Sequence, residues 1–196
     1  MSSALTCEIA PGRKIGDGRP CFVIAEIGSN HNQDFDLAKK TIDAAAEAGV
    51  DAVKFQTFRA ETHYSIHAPS VSSSGSLSTF ELVKSLELDR SWHAPLKKYC
   101  ESLNLIFLSS ACDIEAIDEL DELEIAALKV PSCELSDLGL IRHMAQTGRP
   151  LILSTGLADW MDIQRAVDTC RDVGNRNLVL LQCTSLYPAP PHLSNL

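Results

Sequence analysis

A chain of 196 residues, 45% apolar and 22% charged, is long enough for one well-filled domain and has the make-up of an ordinary folded protein. Its formal net charge of −9 argues against nucleic acid or an anionic membrane as partner, because both require clustered Lys and Arg. No apolar stretch approaches the roughly 20 residues of a bilayer-spanning helix, and the first residues lack the basic start and apolar core of a signal peptide, so a cytoplasmic location is expected.

In chain order, Gly12, Gly16, Gly18 and Pro20 predict an irregular or hairpin lead-in over residues 1–20, ahead of one domain over 21–196. A strand near 22–27 carries Glu26 and is followed by Ser29, Asn30, His31 and Asn32. Asn30, His31 and Asn32 are placed to hydrogen-bond a polyhydroxylated substrate, or else the two Asn residues only shape the turn and cap the next helix. Leu37, Thr41, Ala44 and Ala48 share the predicted face of that helix, with Gly49 as its stop. A strand near 52–56 carries Lys54.

Residues 59–91 interrupt the rhythm with a Ser-rich stretch (Ser70, Ser72, Ser73, Ser74, Ser76, Ser78) and a short helix opened by a Ser78/Glu81 capping box. Such an insertion is either a functional flap or a tolerated surface loop. A helix with Trp92, Leu96, Tyr99 and Leu103 on one face then precedes a strand near 105–109 that ends in Ser109 and Ser110. A short helix (Ile114, Ile117, Leu120) leads to a strand near 126–130 carrying Lys129, and Leu138, Ile141 and Ala145 mark a helix before Gly148. A strand near 150–154 delivers Ser154 and Thr155. Ile163, Ala166, Val167, Cys170 and Val173 form the next helical face, and a strand near 178–183 leads into Gln182–Ser185. Seven cysteines without CxxC spacing, several in apolar runs (Cys21, Cys170, Cys183), point to buried free thiols rather than a disulfide framework.

Six βα units result, where an eight-stranded barrel takes about 250 residues. The pattern fits either an open doubly wound sheet or a barrel short of its last two units; polar groups at every strand end suit a barrel mouth. Lys54 and Lys129 lie on strands of the same parity, so their ammonium groups could meet one anionic ligand. Glu26 is a carboxylate suited to act as general base, to orient a hydroxyl or to balance the lysines. Ser109, Ser110, Ser132, Ser154 and Thr155 add hydroxyl donors suited to a phosphate. His63 and His67 are four apart but lie in the insertion and are not read as a metal pair. No nucleophilic-serine, phosphate-loop or dinucleotide fingerprint is present.

Residues 22–32 (FVIAEIGSNHN), 44–56 (AAAEAGVDAVKFQ), 128–135 (LKVPSCEL), 151–156 (LILSTG) and 180–190 (LLQCTSLYPAP) resemble, collinearly, the sialic acid synthase family: N-acetylneuraminate synthase and its legionaminate and pseudaminate relatives. The resemblance implies a TIM (β/α)8-type barrel, incomplete here, that condenses phosphoenolpyruvate with an N-acylated amino sugar such as N-acetylmannosamine. Carried over by motif, Lys54, Ser110, Lys129, Ser132, Ser154 and Ser185 would bind phosphoenolpyruvate. Glu26 would be the acid/base or sugar-orienting group, and Asn30, Glu134 and Tyr187 would face the sugar. The sequence departs from the family pattern at Gln33, Cys133, Gln182 and Ser185.

The resemblance also implies a divalent metal, typically manganese, bound by histidines on strands later than this chain. It further implies a homodimer at full length and a carboxyl-terminal antifreeze-like domain that these residues do not include. The 196 residues alone are therefore expected to have little activity. Two other readings stand beside this one: a Schiff-base aldolase using Lys54 or Lys129, and a non-catalytic phosphoenolpyruvate-binding or interaction protein.

Overall fold

Leu5 to Ser70 and Leu77 to Asn195 are the residues described in the computed structural model. Strand β1 (Thr6–Ala10) turns at Gly12 and pairs antiparallel with β2 (Arg13–Gly16), Thr6 lying opposite Gly16, so the lead-in is a hairpin. Gly16 adopts φ +115° and has the Leu5 carbonyl packed where a Cβ would stand, a position only glycine can fill. Beyond the hairpin the chain divides into two compact units: Phe22–Ile125 forms one, and the hairpin with the chain from Ala126 onward forms the other.

Phe22–Ile125 holds three parallel strands joined by helices. Strand β3 (Ile24–Gly28) is followed by helix α1 (Phe35–Glu47), strand β4 (Ala52–Thr57) and, after the insertion, strand β5 (Ile106–Ala111). Neighbours pair in sequence order, with Glu26 opposite Lys54, Lys54 opposite Leu108, and Gln56 opposite Ser110. Side chains alternate across a strand, so Phe55 and Phe107 share one face, where their rings stack at 5.7 Å. Lys54, Gln56 and Ser110 belong to the other.

Asp34, not an asparagine, caps α1: its carboxylate accepts the Leu37 N–H at 3.0 Å. Asn30 and Asn32 instead shape the turn before it, Asn30 donating its side-chain N–H to the Ile27 carbonyl at 2.9 Å and Asn32 taking φ +48°. The buried face of α1 is Ala38, Ile42 and Ala45, whereas Ala44 and Ala48 are exposed, one residue away from the expected face. The alanine run has no period of its own, and burial of Ile42, worth about 2–3 kcal/mol, sets the rotation.

Helices α2 (Ala60–His63) and α3 (Thr79–Lys84) belong to the insertion and are joined by the Lys84–Glu61 ion pair. Ser78 and Glu81 form the expected capping box; Ser72, Ser73, Ser74 and Ser76 lie outside the described residues. Glu87 accepts the Ala60 N–H at 2.7 Å, which fixes the far end of the insertion against its start. Helix α4 (His93–Ser102) buries His93, Leu96 and Cys100 completely, with Trp92, Tyr99 and Leu103 only partly covered, so its face too is turned from the expected one. Tyr99 donates to Asp43 of α1 at 2.6 Å, and α5 (Ile114–Glu122) buries Ala116, Ile117 and Leu120.

In the other unit, β6 (Leu128–Val130), α6 (Leu138–Gln146), β7 (Leu151–Ser154), α7 (Trp160–Asp172) and β8 (Leu178–Leu181) repeat the alternation. Leu128 pairs with Leu151 and Leu151 with Leu178, all parallel. Asp137 and Asp159 cap α6 and α7 through their carboxylates, and Asn175 ties the end of α7 to the Ala145 and Arg149 carbonyls. Among the cysteines, Cys100 and Cys170 are buried but Cys21 is exposed, because it lies in the connection after the hairpin and not within a strand; all seven are free thiols. Strand–helix alternation with parallel neighbours, repeated through both units, is the TIM-barrel type of α/β fold.

Candidate functional site

Strand pairing alone sets up the first group. Glu26 and Lys54 are register partners on adjacent parallel strands, and their side chains close an ion pair. Lys54 lies within its strand, as the expected span 52–56 implies: it is the third of six residues in β4, with Gln56 two positions on and on the same face. Gln56 donates to the second oxygen of Glu26 at 3.2 Å, and Lys54 donates to the Ser110 hydroxyl oxygen at 3.2 Å. Gly28 completes the setting: φ is +58° after a bulge in β3, and a Cβ there would stand 3.2 Å from the Glu26 carboxylate.

Burial differs sharply within this group. Lys54 is 8% exposed, while the Glu26 side chain is 48% exposed, so the acid reaches solvent with its base held beneath it. A buried ammonium is tolerated only beside an anion or strong acceptors, which Glu26 and Ser110 supply. With its oxygen accepting from Lys54, Ser110 keeps its hydroxyl hydrogen for another acceptor.

Sequence reasoning passed over Gln56, a neutral amide inside a quoted motif; its signal was parity with Lys54, which puts both on one face. Thr57 and Ser109 lie on the opposite face and do not join this group. The Thr57 hydroxyl bonds Ser109 at 2.8 Å and His93 Nε2 at 2.9 Å, a buried network beneath α4. Burial, with the nearby Arg90 cation second, lowers the His93 pKa to about 4.

His31 is likewise a core residue. It is fully buried, with its ring 6.2 Å from Phe55 and 6.1 Å from Trp92, and Nδ1 accepts the Gln33 N–H at 3.1 Å. Burial lowers its pKa. Asn30 is exposed and spends its amide on the turn. His63 packs its ring beside Phe58 and Tyr64, and His67 is exposed.

A second group belongs to the other unit. Lys129 is 7% exposed at the centre of β6 and donates to the Val130 carbonyl at 2.8 Å. Ser154, the last residue of β7, is 5% exposed. The Ser132 hydroxyl oxygen accepts the Gly156 N–H at 3.1 Å, and Gly156 packs directly against Ser185 and Cys183. Thr155 is anchored to the Leu181 carbonyl by its hydroxyl at 2.9 Å and by its N–H at 3.2 Å. Glu134 lies beside Cys133, whose thiol approaches its carboxylate at 3.6 Å, and Tyr187 is 96% exposed. Gln182, inside the strand expected near 178–183 but just beyond the observed β8, donates to the Ser194 carbonyl.

Taken separately, each group has the chemistry of an anion site: a buried ammonium and a serine hydroxyl, Ser110 in the first and Ser132 in the second, whose oxygen already accepts a hydrogen bond. The first adds a half-exposed acid suited to handle a proton or a water. The first is not a divalent-metal set, since both Glu26 oxygens are engaged by Lys54 and Gln56 and its remaining groups are an ammonium, an amide and a hydroxyl.

Residues 41–196 match the NeuB family. The spore coat polysaccharide biosynthesis protein SpsE of Bacillus subtilis is 40% identical over 186 residues, covering 94% of this chain and 50% of that protein. The N,N'-diacetyllegionaminic acid synthase of Legionella pneumophila is 39% identical, covering 89% of this chain and 51% of its own length. Among solved structures, the N-acetylneuraminic acid synthetase of Leptospira borgpetersenii superposes with a TM-score of 0.86 at 31% identity, over 100% of this chain and 64% of that one. The chain spans about half the length of the curated relatives it matches.

Proposed function

The chain belongs to the NeuB family, and from that premise we propose that it carries the phosphoenolpyruvate-binding strands of a synthase that makes a nonulosonic (sialic-type) acid from an N-acylated amino sugar. The single observation that supports this most is the Glu26–Lys54–Ser110 group: an acid open to solvent over a buried ammonium that also holds a hydroxyl.

In the reaction, C3 of phosphoenolpyruvate attacks the aldehyde carbon of the open-chain sugar, a carbon–carbon bond forms, and C2 becomes electron-poor. Water adds at C2, the carbon–oxygen bond to phosphate breaks, and inorganic phosphate leaves. Lys54, Ser110, Lys129, Ser132, Ser154 and Ser185 are assigned by resemblance to the phosphate and carboxylate of phosphoenolpyruvate, whose charge ammoniums and hydroxyl donors stabilise as it shifts. Glu26, fixed by Lys54 and Gln56, positions the water and takes its proton. Asn30, Glu134 and Tyr187 are the sugar-side assignments of the same resemblance, of which the exposed Tyr187 is free to close on a ligand. Polarisation of the sugar aldehyde is the chemistry that a divalent metal such as manganese would supply in the complete enzyme; the steps assigned to these residues do not pass through it. A homodimer and a cytoplasmic setting belong to the same proposal.

The test, made on the complete enzyme because the 196 residues alone are expected to have little activity, is inorganic phosphate release from phosphoenolpyruvate in the presence of manganese, with and without N-acetylmannosamine. Release that requires the sugar supports the proposal. A lysine adduct trapped by borohydride with pyruvate replaces it with aldolase chemistry, and ligand binding without release leaves a non-catalytic binding protein.

A further inference from the structure

Gly156 is a residue that the functional reading does not use, yet it touches two of the hydroxyls assigned to phosphoenolpyruvate. It follows Ser154 and Thr155 at the end of β7, and its conformation is not the left-handed one that would by itself demand glycine. Space demands it instead. A Cβ at this position would stand 2.5 Å from Ser185 Oγ, 3.1 Å from Cys183 Cβ and 3.1 Å from the Cys183 carbonyl, with backbone among the obstacles. Thr155 leaves no slack, because both its N–H and its hydroxyl are fastened to the Leu181 carbonyl at the end of β8. The Gly156 backbone is thus pressed onto the residues after β8 while its N–H points the other way, to Ser132 after β6.

A serine hydroxyl has one hydrogen to donate and two lone pairs to accept with. With one lone pair of Ser132 taken by the Gly156 N–H, the hydroxyl hydrogen is turned away from that backbone and toward whatever lies in front of it. We propose that Gly156 is a positioning residue for anion recognition: its bare backbone, inserted between the ends of β6 and β8, sets Ser132 as a hydrogen-bond donor and seats Ser185 beside it. The inference rests on the phosphoenolpyruvate reading and deepens it, since a donor-biased serine favours an anionic oxygen over a neutral or cationic group. Gly156 itself need not touch the ligand; it acts through Ser132 and Ser185.

The experiment is a phosphorus NMR titration of the 196-residue chain with phosphoenolpyruvate, beside amide exchange measured at Gly156. Gly156→Ala is expected to weaken binding at least about tenfold, the scale of one lost hydrogen bond to a charged group. Ser132→Ala adds no bulk and so decides the matter if Gly156→Ala fails to fold. It is expected to weaken binding about as much and to speed Gly156 amide exchange about tenfold or more, whereas Ser132→Thr, which keeps the hydroxyl, retains both binding and protection. If wild type binds and Gly156→Ala binds within about twofold of it, Gly156 has no positioning role and the proposed function stands without it; if Ser132→Ala also binds within about twofold, Ser132 is removed from the phosphoenolpyruvate contacts and the inference falls with it. If wild type does not bind phosphoenolpyruvate, the reading of the site falls and this inference with it.

Discussion

His93 shows how a single residue can link burial to pH. Its ring is 4% exposed beneath α4, held by Thr57, and flanked by Arg90, Asp89 and Glu119, with Glu119 at 3.9 Å from Nδ1. Because its folded pKa is lowered to about 4 from an ordinary 6.5, the unfolded chain binds a proton that the folded chain refuses as pH falls between those values. Stability from this group is therefore complete above about pH 6.5 and is lost progressively down to about pH 4, by about 3 kcal/mol in all. His93→Gln, which keeps a polar partner for Thr57 but cannot ionise, is expected to flatten that part of the pH profile. Urea denaturation of both proteins at pH 7 and pH 4.5 measures it, and parallel profiles would remove His93 from the account.

Elements were legible in the sequence to different degrees, and the differences have physical causes. All six strands of the βα units announced themselves as apolar runs, because strands covered on both faces read as continuous hydrophobic segments. Their ends were legible to within about two residues: the strand expected near 52–56 is β4 at Ala52–Thr57, where an ammonium inside the strand is tolerated because Glu26 lies beside it in register, and the strand expected near 178–183 stops at Leu181. Helix α7 showed its face in part: Ala166 and Cys170 are buried as expected, Thr169 joins them, and Ile163 and Val167 are only partly covered.

Helix α1 did not show its face, because alanines at 44, 45, 46 and 48 satisfy any face equally. Its orientation is tested directly: Ile42→Ala is expected to cost about 2–4 kcal/mol in thermal or urea unfolding, and Ala44→Ser less than about 0.5 kcal/mol. Equal effects would mean that α1 is rotated from the arrangement described. Half of the candidate site followed the same logic: Glu26, Lys54 and Ser110 were visible as polar residues in apolar surroundings. Gln56 and Gly156 were not, because an amide and a glycine carry no charge pattern and matter only through register and close approach.

For the molecule as a whole, a net charge of −9 makes any anion site a local matter, dependent on the few buried cations and not on the general field. Lys54 is the clearest of these, 8% exposed and joined to both Glu26 and Ser110. The most direct measurement is calorimetric titration of phosphoenolpyruvate into the chain and into its Lys54→Met variant, at matched ionic strength. One saturable site in the parent, weakened at least about tenfold in the variant, is the predicted result. Heats that show no saturable site, or an affinity indifferent to the loss of Lys54, would contradict the assignment of this strand to phosphoenolpyruvate.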